Sequence, residues 1–131
     1  VFPGERYVGL AYKYILVDQY YQLAVLDRVL CEVEYQTDGS THSMWRQYAE
    51  NPRGFAFLRK TAMQYPACKR RLIADAVHYC ANSRMAHDRL YLKQSPRKLL
   101  TVLCTLPGML EAFYISRRVR KEACDAKGRA L

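Results

Sequence analysis

Apolar residues at steps of three and four, interrupted by prolines, constrain the fold of this 131-residue chain more than any other feature. Between residues 7 and 33 the apolar positions follow the period of an α-helix. We find no stretch that reads as a strand of any length. The helical repeat consists of Val8, Tyr12, Ile15, Leu23, Leu26, Leu30 and Val33. This pattern predicts a long amphipathic N-terminal helix over residues 7–33, roughly 40 Å in length.

Prolines divide the rest of the chain at places where helices begin. Asn51-Pro52 and Ser95-Pro96 each combine a capping residue with proline at the first helical position, and Pro66 and Pro107 interrupt the pattern without such a cap. The helices predicted after the first one cover residues 44–50, 52–64, 66–94, 96–106 and 108–126. The sequence therefore predicts an all-α fold of five or six helices, with one long N-terminal amphipathic helix followed by proline-delimited helices, in a single domain over residues 1–131.

Charge is distributed unevenly along this domain. Residues 1–51 carry four Lys/Arg against seven Asp/Glu, a net charge of −3, and residues 52–131 carry seventeen against five, a net charge of +12. The turn-forming run Thr37–Thr41 lies near the boundary between this acidic helical region and the basic one. A half this basic favours an acidic protein, anionic lipid headgroups or RNA as its partner. The predicted basic docking residues are Arg59, Lys60, Lys69, Arg70, Arg71, Arg117, Arg118, Arg120 and Lys121.

Eleven tyrosines are more than a core or a solvated surface requires, because the ring favours burial while its hydroxyl needs a hydrogen-bond partner. Aromatic residues of this kind are enriched at protein interfaces. The predicted aromatic and apolar docking residues are Tyr14, Tyr20, Tyr21, Tyr65, Phe113 and Tyr114.

The five cysteines are odd in number, widely spaced and without a Cys-x-x-Cys pair. This pattern disfavours a secreted disulfide framework and a zinc site, although one bridge between Cys68 and Cys80 stays open. We expect Cys31, Cys68, Cys80, Cys104 and Cys124 to be small buried hydrophobes in a reducing compartment.

No group of residues predicts catalysis, a cofactor or a metal. The histidines, His42, His78 and His87, are scattered; His87 falls on an apolar helix face and is expected in the core, and Asp75 with His78 is expected to form a surface pair. Cys80 lies two residues from His78, and therefore on a different helix face. The six glycines are dispersed, so no phosphate-binding loop is present.

The 17 residues from Leu99 to Ile115 contain a single ionisable group, Glu111, and are bracketed by Arg97-Lys98 and Arg117-Arg118. Two interpretations stay open. The stretch is either a pair of short buried helices meeting at Pro107 or a segment that touches or crosses a membrane. In the second case the lipid-contacting residues are Leu99, Leu100, Leu103, Leu106, Leu110 and Phe113.

The sequence begins at Val1 without methionine, so we expect a processed mature form or a piece of a longer chain, and we expect a partner to hold the tail Lys127–Leu131. In general character the chain resembles accessory subunits of mitochondrial membrane complexes, of the respiratory chain or ATP synthase, which are small, basic, tyrosine-rich and without an active site. The resemblance implies a non-catalytic structural subunit at the mitochondrial inner membrane, with other subunits and anionic lipid headgroups as partners and no cofactor or small-molecule substrate. The alternative is an RNA-binding structural protein such as a mitochondrial ribosomal protein.

Overall fold

The computed structural model describes residues 2–22, 24–34 and 44–128. In this part of the chain there are six helices and no strand, which confirms the all-α prediction. The helices are α1 Ala11–Val17, α2 Met44–Glu50, α3 Pro52–Gln64, α4 Lys69–Met85, α5 Tyr91–Gln94 and α6 Lys98–Gly128. The predicted loop Thr37–Thr41, His42 and the last three residues of the tail lie outside the described residues.

The predicted helices 44–50 and 52–64 match α2 and α3. Asn51 occupies the N-cap position of α3, but its side-chain oxygen accepts hydrogen bonds from the backbone N–H groups of Arg6 (2.8 Å) and Tyr7 (2.9 Å). The free N–H groups in the first turn of α3, those of Arg53 and Gly54, both donate to the Glu5 carboxylate at 2.7 Å. Glu5 of the N-terminal segment therefore caps α3 in place of Asn51. This capping depends on a tertiary contact, because the two segments are distant in sequence.

The predicted helix 66–94 is divided in two. α4 ends at Met85 because His87 adopts a left-handed conformation, with φ of 54°. The His87 N–H donates to the Arg84 carbonyl at 3.1 Å, and the Asp88 N–H donates to the Ser83 carbonyl at 3.0 Å. These two bonds form a Schellman motif, in which the left-handed residue is usually glycine. His87 is exposed, so its predicted place in the core was wrong.

Pro107 does not separate two helices as predicted; α6 runs through it from Lys98 to Gly128. The reason lies at the next residue. A Cβ placed on Gly108 would lie 2.4 Å from the Cβ of Cys80 and 2.9 Å from the Val77 carbonyl oxygen, so α6 approaches the backbone of α4 very closely here. Close packing against α4 on both sides of the proline compensates for the hydrogen bond that Pro107 cannot donate.

The core is small and centred on α4, which packs against both α3 and α6. α1 and α2 also contact α3, and α2 and α5 contact α6. Apolar residues from three helices form the buried cluster: Met63, Ala76, Tyr79, Cys80 and Cys104.

The long N-terminal helix predicted over residues 7–33 is not present. Only α1 is helical, and of the described residues from Asp18 to Glu34 none belongs to a helix. Gln19 Nε2 donates to the Ile15 carbonyl at 3.0 Å, beside the turn that ends α1. An amphipathic segment needs a surface to bury its apolar face, since helical propensity alone is marginal in water. Among the described residues of 18–34, the apolar side chains have no such surface and are exposed.

Candidate docking surfaces

Residues 18–34, called here the acidic segment, expose a run of large apolar side chains. Val25 is 91% exposed, Tyr20 84% and Val29 78%. The other large exposed members are Tyr21, Leu26, Leu30 and Val33. With Asp18, Asp27, Glu32 and Glu34 against Arg28, the segment has a net charge of −3. It therefore presents an apolar and anionic surface that the described part of the chain leaves uncovered.

A second apolar surface, called here the α6 stripe, follows one face of α6. Its members are Leu99, Val102, Leu103, Leu106, Leu110 and Phe113, each 58–77% exposed. The opposite face carries Thr101, Cys104, Gly108, Ala112 and Ile115, which are buried. Between Leu99 and Ile115, α6 thus has one buried face and a second, exposed face that is apolar, which is typical of a helix with neighbours on more than one side.

The structure differs from the predicted lipid-contacting set at two positions. Leu100 packs against the core cluster and is only partly exposed, whereas Val102 was missed although it shares the face of Leu99 and Leu106 at helical spacing. The spacing of three and four residues was the signal that could have found it.

Basic and aromatic residues meet at the C-terminal end of the α6 stripe. The Arg117 guanidinium lies over the Phe113 ring, 5.6 Å from its centroid, and that of Arg118 lies 5.8 Å from the centroid of Tyr114. Arg118 Nε also donates to the Tyr114 hydroxyl at 3.0 Å, and Trp45 of α2 packs edge-on against Tyr114. Arg120 and Lys121 are exposed beyond them, completing the α6 basic cluster of Arg117, Arg118, Arg120 and Lys121.

Lys69, Arg70 and Arg71, called here the α4 basic cluster, are exposed in the first turn of α4. Cations at a helix N-terminus oppose the helix dipole, and the first turn contains no acidic residue to balance them. Tyr65, just before this turn, is 44% exposed. An acidic partner at this end of α4 would therefore relieve an unfavourable charge arrangement.

Arg59 belongs to the predicted basic docking residues, but its side chain forms an ion pair inside the protein. Its Nη1 donates to the Asp75 carboxylate at 2.9 Å, with side-chain exposures of 22% for Arg59 and 8% for Asp75. Arg59 therefore joins α3 to α4 inside the protein. Lys60 is partly buried, and the remaining predicted basic residues are exposed.

Five titratable side chains, those of Arg53, Lys60, Tyr79, His87 and Asp88, line one cavity between α3 and the C-terminal end of α4. Asp75 does not pair with His78 as predicted. Instead, Nδ1 of His78 contacts Oε1 of Glu111 at 2.5 Å, which links α4 to α6. Among the residues that the structure describes, no group of three or more His, Cys, Asp or Glu side chains is placed to hold a metal ion.

The cysteines fall into two groups. Cys80 and Cys104 are buried, as predicted, but Cys31, Cys68 and Cys124 are exposed, and all five are free thiols. Burial raises the pKa of the Cys80 thiol to about 11, and burial also raises the pKa of Cys104. Since the thiolate is the nucleophile, these two buried cysteines are unsuited to covalent catalysis.

The stretch from Lys98 to Asp125 is long and apolar enough to cross a bilayer by length and composition, and it is the single candidate of this kind among the described residues. Core helices of soluble proteins pass the same test. The predicted pair of short buried helices meeting at Pro107 is wrong, because α6 is continuous there, whereas contact of residues 99–115 with a membrane stays a prediction.

Comparisons of the chain with protein-family models, with curated proteins and with solved structures give no match.

Proposed function

We propose that the chain is a non-catalytic accessory subunit of a large assembly, most specifically a mitochondrial inner-membrane complex of the respiratory chain or ATP synthase. The observation that carries the proposal is the size of the uncovered apolar surface on the acidic segment and the α6 stripe. Soluble monomers rarely expose continuous apolar patches larger than about 300–600 Å². Two such surfaces on a chain with so small a core favour burial against neighbouring subunits.

The predicted N-terminal helix belongs to this proposal. Tyr21, Val25, Val29 and Val33 recur every four residues, and Leu26 and Leu30 lie beside Val33, on the side of the helix away from Tyr21. We propose that the acidic segment folds into a helix when a neighbour covers this face, extending α1 towards residue 33. Coupled folding of this kind suits a subunit that wraps its partners.

The placement at a membrane complex is supported by the length and apolar composition of α6, and we propose that α6 packs against protein at the membrane surface without crossing the bilayer. A bilayer around residues 99–115 would also enclose the adjoining turns of α4, with exposed Arg84 and the His78–Glu111 pair. Charged groups at that depth are costly. The two basic clusters then dock on acidic subunits or anionic headgroups.

The experiment is co-purification. An epitope-tagged full-length chain, expressed in its own organism and extracted with mild detergent, is expected to migrate on a native gel with a membrane complex of much higher mass. Reversing the α6 basic cluster with Arg117→Glu and Arg118→Glu is expected to weaken that association, whereas Lys93→Glu, on exposed α5, serves as the control. A tagged chain that runs as a free, well-folded monomer contradicts the proposal.

RNA binding is the second candidate, and the exposed α4 basic cluster beside Tyr65 is the feature that favours it. Binding through phosphate neutralisation predicts an affinity that falls steeply with added salt, with a slope that Arg70→Ala and Arg71→Ala flatten. A weak association with RNA that does not respond to salt removes this candidate.

A further inference from the structure

We propose that the acidic segment of one chain docks on the α6 stripe of a second copy of the same chain, forming a two-fold dimer. This inference identifies one of the neighbours that the proposed function requires. It rests on the proposed function, under which protein covers both surfaces. It rests on a match between the two surfaces in length, polarity and charge.

The lengths agree. As a helix, the apolar face from Tyr21 to Val33 spans about 18 Å, and the α6 stripe from Leu99 to Phe113 spans about 21 Å. In the acidic segment, Asp18 and Glu32 lie on the same helical face as Tyr21, Val25 and Val29, one at each end of that row, and no charged side chain interrupts the row between them. The α6 stripe has no charged member, and both surfaces carry branched or aromatic side chains that interdigitate well between helices.

The acidic segment and the α6 stripe carry opposite charges at their ends. The acidic segment carries Asp18 at one end and Glu32 and Glu34 at the other. The α6 stripe has Arg97 and Lys98 at one end and the α6 basic cluster at the other, all exposed. In either orientation of the two helices, each acidic end of the segment meets a basic end of the stripe.

Docking within one chain is hindered by the connection to α1. α1 packs on α3, α3 on α4, and α4 on the face of α6 opposite the stripe. The acidic segment therefore starts on the α3 side of the core, away from the stripe. The segment of a second copy is not held at this starting point.

A two-fold axis also satisfies both surfaces at once, because each chain then offers one segment and receives one segment. Two segment-on-stripe contacts bury twice the area of one, which brings the dimer towards the range of about 1,200–2,000 Å² that a specific, stable interface buries.

Site-directed disulfide cross-linking tests the inference in full-length chains whose exposed Cys31, Cys68 and Cys124 are replaced by serine. One chain carries Val29→Cys in the acidic segment and a differently tagged chain carries Leu106→Cys at the centre of the α6 stripe. We expect the mixed chains to form a disulfide-linked heterodimer under mild oxidation. The control pair, Val29→Cys with Ile73→Cys on exposed α4, is expected to give at least tenfold less product.

Several outcomes overturn the inference. One is that the central pair gives no more heterodimer than the control. Another is that a chain carrying both Val29→Cys and Leu106→Cys closes an internal disulfide in preference to a dimer. The third is that the full-length chain floats with phosphatidylcholine–cardiolipin vesicles and loses this binding on Leu106→Glu, which would assign the stripe to a bilayer. Circular dichroism of each variant verifies that it is folded.

Failure of the dimer and failure of the proposed function are separable. A chain that co-purifies with a membrane complex but gives no cross-link contradicts the dimer alone. A cross-linked dimer that never enters a larger complex contradicts the accessory-subunit function alone.

Discussion

His87 ends α4 although the sequence around it favours a continuous helix. Its left-handed backbone allows the Schellman bonds to the carbonyls of Ser83 and Arg84. Histidine visits this region more often than most residues, but a side chain there is still strained. The sequence places His87 on the apolar face of a continuous helix, because periodicity carries no information about the sign of φ.

Replacing His87 with glycine is expected to stabilise the protein by about 0.5 kcal/mol, since relief of the left-handed strain exceeds the added entropy of the unfolded chain. Ala86→Gly is the matched control; φ at Ala86 is −74°, so glycine there is expected to destabilise by about 0.5–1 kcal/mol. Urea unfolding of the two variants measures both changes. Equal destabilisation by both would contradict the capping role of His87.

The buried Cys80 thiol and Tyr79 hydroxyl make the free energy of unfolding decrease at alkaline pH. Burial raises the pKa of Cys80 from 9.0 to about 11 and that of Tyr79 from 10.0 to about 12. The unfolded chain therefore releases these protons at lower pH than the folded chain does. Stability from these groups is fully present below pH 9 and is lost as the pH rises towards 12.

We expect the free energy of unfolding to fall by about 2 kcal/mol between pH 8 and pH 10.5 through Cys80 alone. Urea titrations across this range measure the fall. Alkylation by iodoacetamide at pH 8 provides a second readout, in which the exposed Cys31, Cys68 and Cys124 react at least tenfold faster than Cys80 and Cys104. A flat stability profile together with equal reactivity of all five thiols would show that Cys80 is not buried.

Among the helices, α2 and α3 could be predicted to the residue, because Asn51-Pro52 marks the boundary between them. Pro107 could not be interpreted in the same way. A proline after the first turn either ends a helix or is tolerated, and tertiary packing decides whether the helix continues. In α6 the helix continues because Gly108 packs closely against Cys80 and Val77, which lie far from it in sequence.

Adjacent substitutions in α6 are therefore expected to have opposite signs. Gly108→Ala places a methyl group against the Cys80 Cβ and is expected to destabilise by about 1–3 kcal/mol. Pro107→Ala, at an exposed position, restores a backbone donor for the Leu103 carbonyl and is expected to stabilise by about 1–3 kcal/mol. Thermal and urea unfolding of the two variants measure both effects. Stabilisation by Gly108→Ala would contradict the close approach of α4 and α6.

For the molecule as a whole, the sequence indicated which residues are exposed better than it indicated their conformation. The exposed tyrosines at positions 14, 20 and 21 and most of the basic residues lie on the surface as expected. The ion pair of Arg59 with Asp75 and the capping of α3 by Glu5 join residues distant in sequence, and no local pattern marks them. The helix over residues 7–33 was predicted from a periodicity that finds no surface to pack against within the part of the chain that the structure describes.

The most direct measurement is hydrogen exchange of residues 18–34 in two states of the same chain, purified alone and extracted within its native assembly. We expect amides of the acidic segment to exchange within seconds in the isolated chain and at least a hundredfold more slowly in the assembly, because burial and helix formation protect them there. Amides of α4 serve as the control, since they are protected in both states. Free exchange of residues 18–34 in the native material would contradict coverage of this surface by a partner.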